Sequence, residues 1–445
     1  MRPDTQADGD QFLLFQAHFD QILNPDHPLV ILAQKIDWSR FDVAFADCYC
    51  SDMGAPAKAI RLMVGLHYLK HAFNESDESV VERWLENPYW QCFCGYTTMQ
   101  HELPLHPTSL VKWRKRVGAE RLVELLQETI ALAVREKQVS ARELRQVNVD
   151  TTVQEKNITH PTDSKLLYRA IVKLGKAAKQ RGISLRQSYV RIAKRASIKA
   201  GRYAHAKQFR RMRRQLKFLR TRLGRLIRDI RRKANGADIR LMKLLELCER
   251  LQKQQPRDKN KIYSLHEPEV MCISKGKAHK RYEFGVKVSV AVASRGGWFV
   301  GAQAMAGNPY DGHTLMKTME QVKRLGVSQQ MAFVDRGYRS HDCEGPVEVH
   351  VERARRGKIA RGLWRWMKRR AAVEPSIGHL KQERRMNRCR LKGEAGDCFN
   401  AIASAAGMNF RKLLRSLKQC PRFMERLCFG QCDWPIQWLF PFQAY

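Results

Sequence analysis

Between Lys165 and Lys233 the chain carries 25 Lys or Arg residues against one acid, Asp229. A folded core cannot absorb that density of cations, because each buried charge without a partner is costly. The segment must therefore turn most of its side chains toward solvent or an anionic partner. Within it, Phe209, Met212, Leu216, Leu219, Leu223, Leu226 and Ile230 recur at alternating steps of three and four, the seam of a coiled coil or helical hairpin. Asn235-Gly236-Ala237-Asp238 supplies a turn, and IRLMKLLELCERL reads as the returning helix. A hairpin does not need so many Arg residues around its seam, whereas each one beside a phosphate releases a counterion. Backbone contact with nucleic acid is the expected use of this segment, with a merely solvated face as the alternative.

The whole chain agrees. Its 445 residues leave room for two or three domains, and the net charge of +37 exceeds what solubility requires. An anionic membrane is a rival polyanion, but no apolar run approaches the roughly 18 residues of a spanning helix, so no membrane insertion is expected. The start, MRPDTQADGDQFLLFQ, is acidic and lacks the pattern of a secretory signal, so a cytoplasmic, nucleoid-associated protein is expected. The 12 Cys residues then read as free thiols. Cys48/Cys50 and Cys92/Cys94 have C-x-C rather than C-x-x-C spacing, which favours small buried thiols over a structural zinc site.

The first third of the chain reads as helical. PAKAIRLMVGLHYLKHAF (56–73) has helical spacing, Ser79 with Glu82 forms a capping-box pattern, and Thr108 or Ser109 can cap LVKWRKRV. A further helix is expected from Glu120 to Lys137, giving a helix-turn-helix character in which Lys112 and Arg114 would face DNA, with a basic solvated face and a buried Trp113 as the equal alternative. After Pro268 the pattern changes to strands. Tyr282–Ser294 and Gly297–Ala304 form a hairpin, Thr314–Arg324 a helix, MAFVDRGY a strand buried on both faces and ending at Asp335, and Pro346–Glu352 another strand. A basic helical region is expected from Leu363 to Leu391. The layout is mixed α/β, interrupted by the basic helical insertion.

One more strand precedes the insertion. In VNVDTTV, alternation places Val147, Val149, Thr151 and Val153 on one face and Asn148, Asp150 and Thr152 on the other. Taken singly, Asp150 reads as a surface acid on an edge strand. Asp335 at another strand end and Glu374, beside Pro375 at a helix start or kink, change that reading. Three converging carboxylates can hold two Mg²⁺ ions, with Mn²⁺ as a substitute, and two such ions about 4 Å apart clamp both oxygens of an in-line phosphoryl transfer.

These residues also carry a resemblance. VDTTV, AFVDRGY, GNPYDGHTL and VEPSIGHLKQERRMNRCRLKGEAGDCFNAIASAAGMNFRKLL resemble the DDE transposases of bacterial insertion sequences, in particular the large family numbered five. The resemblance implies a ribonuclease H-like catalytic domain whose acids are Asp150, Asp335 and Glu374. It also implies the family signature of Tyr, Arg, Glu and Lys separated by two, three and six residues. Arg370, Glu374 and Lys381 match, whereas Met367 stands at the Tyr position, with Trp366 beside it. Arg370 and Lys381 would contact phosphates flanking the cleaved bond, and the run with Asn308, Asp311 and His313 would shape a turn before a helix.

The function that this resemblance implies is Mg²⁺-dependent cleavage at the element's ends and transfer of the released 3′-hydroxyl to target DNA. The implied partner is double-stranded DNA, both the terminal inverted repeats and the target, bound by a homodimer or larger assembly. The expected organisation is a helical DNA-binding region (1–140), a first catalytic segment (141–164), a basic insertion (165–265) with Arg210, Arg213 and Arg214 toward DNA, the remaining catalytic domain (266–415) and an aromatic tail (416–445). A ribonuclease H-like nuclease without strand transfer, and a non-enzymatic repressor derived from a transposase, are the alternatives.

Overall fold

A computed structural model describes residues 17–418 apart from 51–55, 235, 237, 275–279, 328, 354 and 356. The aromatic tail and the acidic start lie outside the described residues, as does part of the turn at 235–238. Eight helices come first: α1 (Phe19–Ile22), α2 (Pro28–Lys35), α3 (Trp38–Phe45), α4 (Ile60–Ala72), α5 (Asp77–Glu86), α6 (Pro88–Phe93), α7 (Thr108–Arg121) and α8 (Val123–Arg135). The capping box lies one turn earlier than expected. Ser76 Oγ accepts from the Ser79 amide at 2.9 Å and Ser79 Oγ accepts from the Ser76 amide at 2.8 Å, so Glu82 is not the partner. The helix expected from Glu120 starts at Val123, because Gly118 at φ +76° breaks the run before it.

Strand β1 (Gln146–Lys156) follows, and then the basic insertion. The expected hairpin is half of it. The insertion has four helices, α9 (Asp163–Gln180), α10 (Val190–His205), α11 (Phe209–Lys233) and α12 (Ile239–Lys253), around a core of their own. Leu219, Leu223, Leu226 and Ile230 are buried in the seam as expected, whereas Phe209 is half exposed at the open end. Leu166, Leu167, Ile171 and Leu174 from α9 complete the core.

The chain then returns to the sheet through β2 (Met271–Ile273), β3 (Glu283–Ala293) and β4 (Phe299–Met305), passes α13 (Leu315–Arg324), and adds β5 (Met331–Val334) and β6 (Glu348–Val351). The main path runs β2-β3-β1-β5-β6, with β4 also on β3. Strands β3 and β1 are antiparallel, while β5 and β6 run parallel to β1. Gly296 and Gly297, at φ +68° and +61°, turn the β3–β4 hairpin. The basic helical region expected after β6 is two helices, α14 (Arg361–Arg369) and α15 (Val373–Glu383), joined by a 3-10 turn at Arg370–Ala372, so Glu374 stands at a helix start. Pro375 has no amide hydrogen to continue α14 through this point. Beyond Glu383 the chain leaves the helix through Arg385 at φ +65° and forms β7 (Arg388–Cys389), which pairs with the end of β1.

The last helix, α16 (Gly393–Lys418), packs between the sheet and the N-terminal helices. Its Ala and Gly residues permit the close approach. A Cβ on Gly407 would stand 2.6 Å from His71 Cβ of α4. One hydrophobic core therefore unites Leu66 and Leu69 of α4, Leu126 of α8, Val147 and Val149 of β1, Val290 of β3 and Phe410 of α16. Most of the apolar side chains of the N-terminal helices join this shared core, and Phe19, Leu23 and Val30 form a small cluster of their own. Both faces of β1 are covered, which removes the edge-strand reading of Asp150.

Candidate active site

The register of the parallel strands sets the site. Asn148 pairs with Phe333, and Phe333 with His350. Two residues further along each strand, on the same face, stand Asp150, Asp335 and Glu352. Strand β5 ends at Val334 and pairs β1 only over Gln146–Asn148, so these acids lie where the neighbouring strands part. A cleft at the carboxyl ends of strands, at such a divergence, is where open α/β sheets accept ligands. Asp335 also receives the Gly337 amide at 2.9 Å and opens a 3-10 turn, Arg336–Tyr338, that leads out of the strand.

Glu374 arrives from the other side, in the first turn of α15, with its side chain 65 % exposed. Between it and the strand ends lies Arg370, only 9 % exposed. Its guanidinium stands 3.3 Å from Glu352, 3.6 Å from Glu374 and 3.7 Å from Asp150. The resemblance assigns Arg370 to a DNA phosphate. In the fold it faces carboxylates instead, because the 3-10 turn that carries it is tied to β1 through the Asn148 side chain and the Arg369 carbonyl. Lys381, two turns beyond Glu374 on α15, is half-buried. Met367, at the signature's Tyr position, is buried, while Trp366 beside it lies partly exposed between Arg295 and Arg369 at 5.0 and 5.8 Å.

A further acid, expected only as a turn residue, joins this cluster. Asp311, in the 3-10 turn before α13, accepts from Thr151 Oγ1 at 2.9 Å and pairs with Lys287 Nζ at 2.8 Å. It reaches Gly337: a Cβ there would stand 3.0 Å from Asp335 Oδ1 and 3.3 Å from Asp311 Oδ2. Tyr338 lies beneath. Burial, followed by the charges of Asp150, Asp311 and Asp335, holds its phenol well above 10, so it remains neutral. His313 packs its edge against Tyr310 at 5.5 Å within the same turn.

The oxygen-only donor set suits a hard divalent cation, and the space left by Gly337 keeps the Asp335 carboxylate unobstructed. Yet no group of three His, Cys, Asp or Glu side chains among the described residues is drawn together tightly enough to hold a metal ion. Asp150 and Asp335 fit as neighbours, and Glu374 is separated from them by Arg370.

The other expected DNA contacts divide. Lys112 is exposed on α7, and Arg210, Arg213 and Arg214 are exposed in the first turns of α11. Arg114 is not available. It is buried against Asp77, with nitrogen–oxygen distances of 2.8 and 2.6 Å, and Lys70 holds the same carboxylate at 2.7 Å. Position 114 falls on the inner side of α7 with Trp113, whose indole donates to the Tyr49 hydroxyl at 3.0 Å. Cys94 is a buried thiol, pushed up to about 12 by burial, packed against Gly65.

Comparison with known proteins accords with this architecture. Residues 243–409 match the transposase DDE domain and residues 17–116 match a transposase domain of the DUF772 type. The chain belongs to the DDE-type transposases of insertion sequences. The fold of this transposase is accordingly ribonuclease H-like. It is 52 % identical over 209 residues to an uncharacterized protein, ORF8 in the nfe locus of Rhizobium meliloti, covering all of that protein and 47 % of this chain. No solved structure matches the chain. The DDE match contains Asp335 and Glu374 but begins in α12, beyond Asp150, which strand register sets beside Asp335. Glu352 carried a usable signal, since it ends a strand as Asp335 does. The signal for Asp311 was hidden, because its partners Thr151 and Lys287 lie on two other strands. No helix among the described residues is long and apolar enough to cross a membrane.

Proposed function

We propose that this transposase recognises the terminal inverted repeats of its element, cuts at the ends and joins the released 3′-hydroxyl to target DNA, with Asp150, Asp335 and Glu374 as the metal-holding acids. The register that sets Asp150, within β1, abreast of Asp335, at the end of the parallel strand β5, with Glu374 facing them across Arg370, carries this reading. Bound there, Mg²⁺, or Mn²⁺ in its place, would supply Lewis-acid stabilisation of the phosphoryl oxygens during two-metal transfer. The protein's own part is positional. Asp335 is fixed by the Gly337 amide, Asp150 by the central strand, and Tyr338 closes the floor as a neutral group. Lys381 and the exposed cations Lys112, Arg210, Arg213 and Arg214 would hold DNA phosphates without reading sequence. Because two ends must be cut together, a dimer or larger assembly on DNA is expected.

The test is a plasmid assay with pre-cut and uncut element ends. Asp150→Ala, Asp335→Ala and Glu374→Ala should each lower Mg²⁺-dependent cleavage and joining by about 10³-fold or more, with circular dichroism unchanged. Full cleavage in all three variants would refute the assignment. Cleavage without joining by the wild type would make the protein a nuclease instead.

A further inference from the structure

Four acids, Asp150, Asp335, Glu352 and Glu374, surround the mouth of the cleft, and Arg370 lies within ion-pair distance of three of them. At 3.3–3.7 Å the guanidinium is shared among carboxylates rather than locked to one as a short bidentate fork. Asp311 takes its cation from Lys287 and does not compete for it. A divalent cation on Asp150, Asp335 and Glu374 would place like charge beside this guanidinium. A Lys in that position could relieve the repulsion by losing its proton, but an Arg cannot. It has to move. Glu352 is the one carboxylate paired with Arg370 that the three-acid reading leaves unused. It stands at the outer end of the row, with its side chain 38 % exposed.

We infer that Arg370 is an exchangeable counter-cation of the acid cluster and that Glu352 receives it when a divalent cation enters, so that the Arg370–Glu352 pair sets the metal affinity of the site. In the metal-free protein the guanidinium holds the acids together against their mutual repulsion. On metal entry it withdraws from Asp150 and Glu374 along the row and keeps its pairing with Glu352. Both are positioning residues, acting on the ligands rather than on the DNA. The inference rests on the proposed assignment of Asp150, Asp335 and Glu374 as metal-holding acids.

Mn²⁺ binding to the full-length, DNA-free protein, followed by the paramagnetic resonance of unbound Mn²⁺, tests it without any cleavage assay. R370Q should bind Mn²⁺ about tenfold or more tightly than wild type, R370K should stay near wild type, and E352Q should bind about tenfold more weakly. In the R370Q background, E352Q should weaken binding by no more than about threefold, because Glu352 acts through the missing guanidinium. R370Q should also melt earlier than wild type in EDTA and gain more from Mn²⁺, which replaces the lost charge. Unchanged or weaker Mn²⁺ binding by R370Q would overturn the inference, as would an R370Q protein that stays unfolded in Mn²⁺. Equal weakening by E352Q in both backgrounds would also overturn it, by making Glu352 a direct ligand. D335N separates the two levels. If it binds Mn²⁺ as wild type does, the metal-holding assignment itself fails; if it abolishes binding and R370Q does not tighten it, only the counter-cation role fails.

Discussion

Gly337 shows how closely the site is built. Its backbone is not left-handed, so Ala is tolerated there conformationally, but the added methyl would press on both Asp335 and Asp311. Gly337→Ala should therefore lower Mg²⁺-dependent end cleavage by about 10²-fold through displacement of a ligand, with little change in melting temperature. Wild-type cleavage by this variant would count against the observed apposition of the two acids. Arg114 makes the opposite case. Its partner Asp77 is held well below the usual carboxylate range by Arg114 and Lys70, against burial. Arg114→Ala should cost about 3 kcal/mol of stability, since it weakens the pairing of a half-buried carboxylate, and leave the salt dependence of DNA binding unchanged. A change in that salt dependence without loss of stability would restore it as a phosphate contact. Sequence could identify Asp335, which ends an apolar run. It could not tell Arg114 from Lys112 as a DNA contact, because only the packing of α7 against α3 and α16 decides which side of a basic helix faces inward.

At the scale of elements, α11 carries the clearest consequence. Its buried seam was legible from spacing alone, and so was its outward charge. What spacing could not show is that α9 and α10 complete a bundle, since their apolar positions are mostly Ala and short aliphatic runs among Lys and Arg. The bundle leaves Arg210, Arg213 and Arg214 exposed in the first turns of α11. If all three neutralise phosphates, replacing them with Ala should reduce the slope of log K against log salt by about 2.7, at roughly 0.9 per contact. The same replacements should not alter Mg²⁺-dependent hydrolysis of a short, saturating end substrate. An unchanged slope would place the DNA elsewhere on the molecule.

The whole molecule turns on α16, where buried ionisable groups of opposite behaviour meet: His67 and His71 of α4, and Asp397 of α16 itself. On one side, burial and then Arg114 lower His67 to about 3, and burial holds His71 well below its ordinary value. Both stay neutral when folded, and His67 packs against Phe399 of α16 with ring centroids 5.2 Å apart. The unfolded chain takes up protons below about 6.5 that these histidines refuse, so acidification through that range removes stability at about 1.4 kcal/mol per pH unit for each. On the other side, burial raises Asp397 to about 6 despite Lys156 at 2.9 Å. Its folded pKa exceeds the unfolded one, so its contribution is present below about 4 and is lost as pH rises through 6. The two groups oppose each other between pH 4 and 6. Urea midpoints should accordingly fall more steeply on acidification in Asp397→Asn than in wild type, and less steeply in His67→Gln. Parallel profiles for all three proteins would rule out buried neutral histidines here.

The sequence by itself determined which kinds of element form and what class of partner their charge suits. Apolar spacing depends only on local geometry, and a charge excess of +37 needs no fold to require a polyanion. It also marked Asp335 and Glu374, because each stands at a local boundary that the residue order displays, and singled out Asp150 only in their company and through the resemblance. The tertiary structure decided how these residues meet. Strand register set Asp150, Asp335 and Glu352 abreast, the close packing of α16 merged the N-terminal helices with the sheet, and the turn between α14 and α15 put Arg370 among the acids. Those are relations between residues far apart in the chain, fixed by pairing and close packing, which residue order does not encode locally.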